Sequence, residues 1–277
     1  MASLSRLSSL PSLLRISLFV VALLATWIPY ALIAATQLSD PIPRNIALTL
    51  GFYGMFLGWL WFWGRRVYQF PRVFWHYGLR GQWQTWHDIG VGLGVGLGLI
   101  ALLFGVQRLL GWVQWHSSSA PVATLLWQGA LLGIGVAIAE ELLFRGWLLD
   151  EFQRDYALTR AIWSHAIVFA ILHFLKPLSE ILRTLPQLLG LVLLGVVLAH
   201  AKNRTGQLGL SIGLHAGLVW GYYLADVGDW VAYTNTVPQW VTGINQNPLA
   251  GVIGLSFMVV LLIGIQRIGK SKINPQV

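Results

Sequence analysis

Glu140, Glu141 and Arg145 lie within Ala139-Glu-Glu-Leu-Leu-Phe-Arg145, a stretch that is otherwise apolar. An ionisable side chain at membrane depth costs roughly 2.5–3.5 kcal/mol on insertion scales. A chain with only 10 acidic residues that sets two side by side in such a place implies a use for them. Glu141 and Arg145 are four residues apart with the acid first, the favourable order for an ion pair on one helical face. Glu140 is rotated roughly 100° from Glu141 and has no such partner. A buried, poorly compensated carboxylate takes up protons readily, which suits a general base. Glu140 is thus the catalytic candidate, and Glu141 with Arg145 the structural ion pair. The alternative is one buried ion cluster whose only task is to hold helices together.

Two histidines can join Glu140. A short turn near residues 155–159 makes the flanking helices an antiparallel pair, with Glu140 17 residues before Ala157 and His173 16 after it. The two side chains are therefore expected at the same depth. His215 lies in Ser211-Ile-Gly-Leu-His-Ala-Gly217, inside a later span that starts on the same side. His165 and His200 fall near expected helix ends, and His76, His87 and His116 in connections, so these read as incidental. Two chemistries remain open. Glu140 and His173 could activate a water that attacks a peptide carbonyl, with His215 holding the oxyanion. Alternatively Glu140, His173 and His215 form a His₂Glu zinc site, leaving only Glu141 as base. The chain has no cysteine, which excludes thiol catalysis and disulfides, and it shows no Ser-His-Asp order, nucleophile elbow or H-E-x-x-H.

The elements that must position these groups are membrane helices. The 277 residues are 56% hydrophobic and 10% charged, against about 25% charged in soluble domains. Roughly 20 apolar residues cross a bilayer, so the expected fold is an all-α polytopic bundle of about eight transmembrane helices. Spans are expected at 15–37, 45–64, 89–110, 121–153, 160–176, 186–201, 207–225 and 249–268. Arg65, Arg66, Arg72 and Arg80 mark the connection after the second span as cytoplasmic. Both termini are then inside, with Arg154, Arg160, Lys202, Arg204, Arg267, Lys270 and Lys272, while Asp226 and Asp229 fall in the longest outer loop. This bias accounts for the net charge of +8 without nucleic acid, for which no basic-aromatic module exists. The chain divides into 1–120, the tail and first three spans; 121–225, the core that carries the chemistry; and 226–277, the outer loop, last span and basic tail. The acid-free start reads as a plain cytoplasmic tail rather than an organellar leader. Trp63, Trp75, Trp83, Trp86, Trp112, Trp115 and Trp230 read as interfacial anchors. Gly90, Gly94 and Gly98 on one face, and Gly92 and Gly96 on another, read as sites of close helix packing.

The sequence resembles the CAAX protease and bacteriocin-processing family, also called CPBP or Abi intramembrane proteases. The first motif, Glu-Glu-x-x-x-Arg, is Glu140, Glu141 and Arg145; the second, Phe-x-x-x-His, is Phe169 and His173. The third begins at His215, preceded by Arg204-Thr-Gly-Gln-Leu208. The resemblance covers about residues 121–225. It implies an eight-helix bundle that cleaves a peptide or protein substrate near the cytoplasmic membrane surface. It makes Glu140 and His173 the water-activating pair, His215 part of the oxyanion hole and Phe169 a packing residue. Members are often named metalloproteases, so zinc is the candidate metal, although a metal-free glutamate mechanism also has support. The third motif wants Asn or Asp four residues after its histidine, where this chain has Val219. Valine donates no hydrogen bond, and one lost oxyanion donor typically costs about 100- to 1000-fold in rate; the indole N–H of Trp220 or the hydroxyl of Tyr222 is the candidate substitute. The partners implied are the lipid bilayer and a peptide substrate. The membrane implied is a bacterial plasma membrane, with a thylakoid or plastid membrane as the alternative. The competing functions are a non-catalytic scaffold, such as an immunity or chaperone-like protein, and a proton-coupled transporter. The absence of inverted repeats argues against the transporter.

Overall fold

The computed structural model describes residues 4–118 and 120–269. Lys270 and Lys272, two of the cations assigned to the cytoplasmic side, lie outside the described residues. A 3₁₀ turn (Leu4–Ser9) leads into α1 (Ser12–Gln37), α2 (Pro41–Arg66), α3 (Val73–His76) and α4 (Trp83–Leu109). α5 (Val122–Glu140) runs on without a break as a π-helix (Glu141–Leu148) and then α6 (Leu149–Gln153). α7 (Leu158–Leu172), α8 (Leu178–Thr184), α9 (Gln187–Thr205) and α10 (Gly209–Asp226) follow, then α11 (Gln239–Thr242) and α12 (Val252–Arg267). The fold is the expected all-α membrane bundle, with one small addition. β1 (Val113–Trp115) pairs antiparallel with β2 (Val231–Tyr233), joining the loops after α4 and α10.

Each expected span coincides with a helix, but the helices are not equivalent. Among the described residues five are long and apolar enough to cross a membrane: α1, α2, α4, the continuous α5–α6 rod and α9. α7 and α12 are apolar but have only 15 and 16 residues, short of the roughly 20 a full crossing needs.

α10 is held by a backbone-to-backbone seam with α4. A methyl group added at Gly92 would sit 2.5 Å from the Leu210 carbonyl oxygen, and one at Gly96 2.6 Å from that of Leu214. From the other side, a methyl at Gly217 would meet the Leu93 carbonyl oxygen at 2.5 Å. Only glycine fits such an approach, and close contact of this kind is the main source of helix adhesion in lipid. Of the two glycine faces on α4, Gly92 and Gly96 pack as expected. Gly90, Gly94 and Gly98 do not, since open space lies beside each. Trp63 also departs from expectation. It is buried and packs edge-on against Phe19 with ring centroids 5.7 Å apart, a core residue rather than an interfacial anchor. Trp83, Trp86 and Trp115 are exposed, as anchors should be.

Candidate active site

The α5–α6 rod brings the acidic pair into the bundle, and its change of helical pitch sets their directions. Glu140 is the last α-helical residue and Glu141 the first of the π-helix. π-helical turns inside α-helices are rare and concentrate at functional sites. Arg145 still meets Glu141, with its guanidinium nitrogen 2.9 Å from Oε1 and both side chains fully buried. The ion pair expected from the i,i+4 spacing is thus present.

The same Glu141 oxygen lies 2.9 Å from Nδ1 of His215 on α10. His173, the cap residue just after α7, has its Nδ1 2.8 Å from the Phe169 carbonyl oxygen. With both Nδ1 atoms held by acceptors, each histidine turns Nε2 toward Glu140. The distances to Glu140 Oε2 are 3.9 Å from His173 and 3.8 Å from His215. That carboxylate oxygen is itself buried and has no hydrogen-bond partner. Polar atoms this far apart, facing one another, leave room for an intervening water or substrate oxygen. Glu140, His173 and His215 therefore converge, with Glu140 and His173 brought together as the matched-depth count predicts.

Phe169 ties the two halves together. It is fully buried, its ring carries the Arg145 guanidinium 4.1 Å from its centroid, and its carbonyl fixes His173. His165, expected to be incidental, is instead a fully buried mid-helix residue of α7 that stacks against Phe169. Its ring nitrogens have no hydrogen-bond partner.

The substitutes considered for the missing third-motif side chain are divided. Val219 and Tyr222 share a cavity wall with His215. Trp220 points elsewhere: a methyl at Gly129 would lie 3.0 Å from its indole nitrogen, three turns of α5 away from Glu140. The fold does not bring Trp220 to the site.

A zinc reading meets a mixed test. The donor chemistry suits the metal, because metal-bound histidines usually commit their other nitrogen to a carboxylate or carbonyl. The spacing does not suit it. Among the described residues no group of three His, Asp or Glu side chains is gathered closely enough to hold a metal ion.

One positioning device has no precedent in the acidic and histidine motifs. Gln207, in the Arg204-Thr-Gly-Gln-Leu208 stretch, accepts from the Thr85 hydroxyl at 2.6 Å and donates to Asp88 at 2.9 Å. Asp88 also accepts from Gln84 at 2.8 Å. This buried clamp fixes the start of α10 against α4 and so sets the level of His215. A buried Asp and Gln in otherwise apolar spans were the available signal.

Residues 121–221 match the family model described as type II CAAX prenyl endopeptidase Rce1-like. This segment contains all three motifs and the Val219 departure, and over this segment the chain is similar to that family. Neither curated proteins nor solved structures give a match. With its apolar helices, the chain is an integral, multi-pass membrane protein.

Proposed function

We propose that the protein is an intramembrane endopeptidase in which Glu140 and His173 activate a water for attack on a peptide carbonyl from the cytoplasmic side. The observation that carries this reading is the buried, unpartnered Oε2 of Glu140 with two imidazole Nε2 atoms within 4 Å. His173 holds its proton on Nδ1, against the Phe169 carbonyl, and keeps a lone pair on Nε2 beside Glu140. A water between them passes a proton to one of the two, and its oxygen bonds to the carbonyl carbon. The carbonyl π electrons move to oxygen, giving a tetrahedral oxyanion. When the C–N bond breaks, the captured proton goes to the leaving amine.

His215 is the oxyanion donor in this scheme. Glu141, 2.9 Å from its Nδ1, fixes the ring so that Nε2 faces the site. Arg145 offsets one of the two carboxylates of the buried cluster. Val219 supplies no donor, which leaves His215 alone at the oxyanion and predicts slow turnover.

Glu140→Ala and His173→Ala should each abolish cleavage of a peptide library in proteoliposomes while the melting temperature holds. Cleavage at the wild-type rate by either variant would overturn the mechanism. The non-catalytic scaffold remains the second reading, and Val219 favours it. It expects Glu140→Ala to keep its biological function and the wild type to cleave nothing. The zinc reading rests on the two histidine tautomers. Elemental mass spectrometry of detergent-purified wild type and His173→Ala tests it: near one zinc per chain, lost in the variant, would replace the water-activating pair with a metal site.

A further inference from the structure

A cavity of about 120 Å³ opens beside His215, between α4, α9, α10, α12 and the turn at Pro248–Ala250. On α10 its wall is formed by His215, Val219 and Tyr222, and it faces Ile100, Leu249 and Met258. The few polar groups in the wall are turned to other work. The Tyr222 hydroxyl is 3.4 Å from the Gln246 carbonyl oxygen, and the Asn247 side chain accepts from the backbone N–H of Leu249 at 2.9 Å. The family's polar residue would point from position 219 into this space, and here it is a valine. What remains is a carbon-lined chamber with an imidazole at its edge.

Such a chamber has no polar partners to hold water, and apolar cavities of this kind stay dry and take apolar guests. Its size limits the guest. A cavity of about 150 Å³ accommodates one benzene, so 120 Å³ suits a smaller group such as an isobutyl or a thioether. Resting on the peptidase reading above, we infer that this chamber is a specificity subsite for one apolar side chain next to the scissile bond. Val219 sets its shape from one wall and Met258 from the other. The substitution that removes an oxyanion donor therefore also creates a selective pocket. Discrimination by a pocket of this type is about 10- to 200-fold per methylene gained or lost.

Two measurements test the inference, the first of them independent of catalysis. Short randomised peptides carrying photo-leucine are irradiated with the Glu140→Gln protein in detergent, and labelled residues are mapped by mass spectrometry. Label on Val219, Tyr222 or Met258 is expected, and label confined to other surfaces overturns the subsite. In parallel, peptides differing only in Ala, Leu, Met or Phe beside the cleaved bond are given to wild type and Val219→Phe. The wild type should prefer Leu and Met over Ala at least tenfold, and the variant should lose that preference while still cutting the Ala peptide. Should Val219→Phe fail to fold, Val219→Ala should shift the preference toward Phe. Cleavage without side-chain preference, and without chamber labelling, would sink the subsite and leave the peptidase standing. Chamber labelling without any cleavage would keep the pocket and sink the peptidase.

Discussion

The α5–α6 rod carries two buried charge clusters ten residues apart, and they are built to opposite rules. At Glu151 both carboxylate oxygens are partnered. One carboxylate oxygen accepts from the Tyr68 hydroxyl at 2.6 Å and the other from Arg15 Nε at 2.8 Å. The other Arg15 nitrogens donate to the Glu151 carbonyl, the Leu10 carbonyl and Asp155. At Glu141 the pairing is partial. Glu140 Oε2, Glu141 Oε2 and two Arg145 nitrogens are buried without partners. An unmatched polar group in a dry interior costs roughly 1–3 kcal/mol or more when charged. A fold keeps a satisfied cluster for stability and an unsatisfied one for something that arrives. Burial alone does not separate the two, whereas counting unused hydrogen-bond positions does.

That contrast can be broken by mutation. The largest effect belongs to the open cluster: Glu140→Gln should lower kcat by roughly 10²- to 10⁴-fold with little change in melting temperature. Arg15→Ala should do the reverse, costing roughly 3–5 kcal/mol of stability because it strands a buried Glu151, with cleavage per folded molecule unchanged. Denaturation in detergent reads the second effect, and equal losses in both assays for both variants would erase the distinction. Phe169→Leu probes the link between the halves. The backbone carbonyl that fixes His173 survives, but the ring beneath Arg145 is lost, so about 0.5–2 kcal/mol of stability should go with a smaller fall in kcat than Glu140→Gln gives. The smallest effect is on pH. Burial works against the charged Asp155, but the Ser12 backbone N–H and Arg15 outweigh it and hold this carboxyl below its ordinary value. The stability it supplies is complete above about pH 3.9, the ordinary Asp value, and is lost as the pH falls through the lower folded value. Asp155→Asn should remove that acid-side slope in thermal melts.

Much of this was legible in the sequence. Eight apolar segments, the Glu141–Arg145 pair and the meeting of Glu140 with His173 followed from spacing, because helical rise is nearly constant and a short turn makes depth a matter of counting. The π-helical stretch was not legible: its partners α7 and α9 are brought to it by the fold, and i,i+4 contact survives the change of pitch. The choice between the two glycine faces of α4 was hidden too, since both have the same spacing and only α10 decides which one is covered. His165 lies mid-helix because α7 starts two residues before the expected fifth span and ends four residues before it. Trp63 shows a second limit, since a tryptophan near a span end looks the same in sequence whether lipid or Phe19 lies beside it.

The glycine seam also sets an order of events during synthesis. α4 and α10 are separated by five intervening helices, so the ribosome finishes Glu140 and His173 well before Gly213 and Gly217 can find their partners. Until α10 inserts, His215 is missing from the cluster and Glu141 has only Arg145. The nascent chain therefore passes through the membrane with its acidic pair present and its site incomplete, and any truncation before α10 leaves it so.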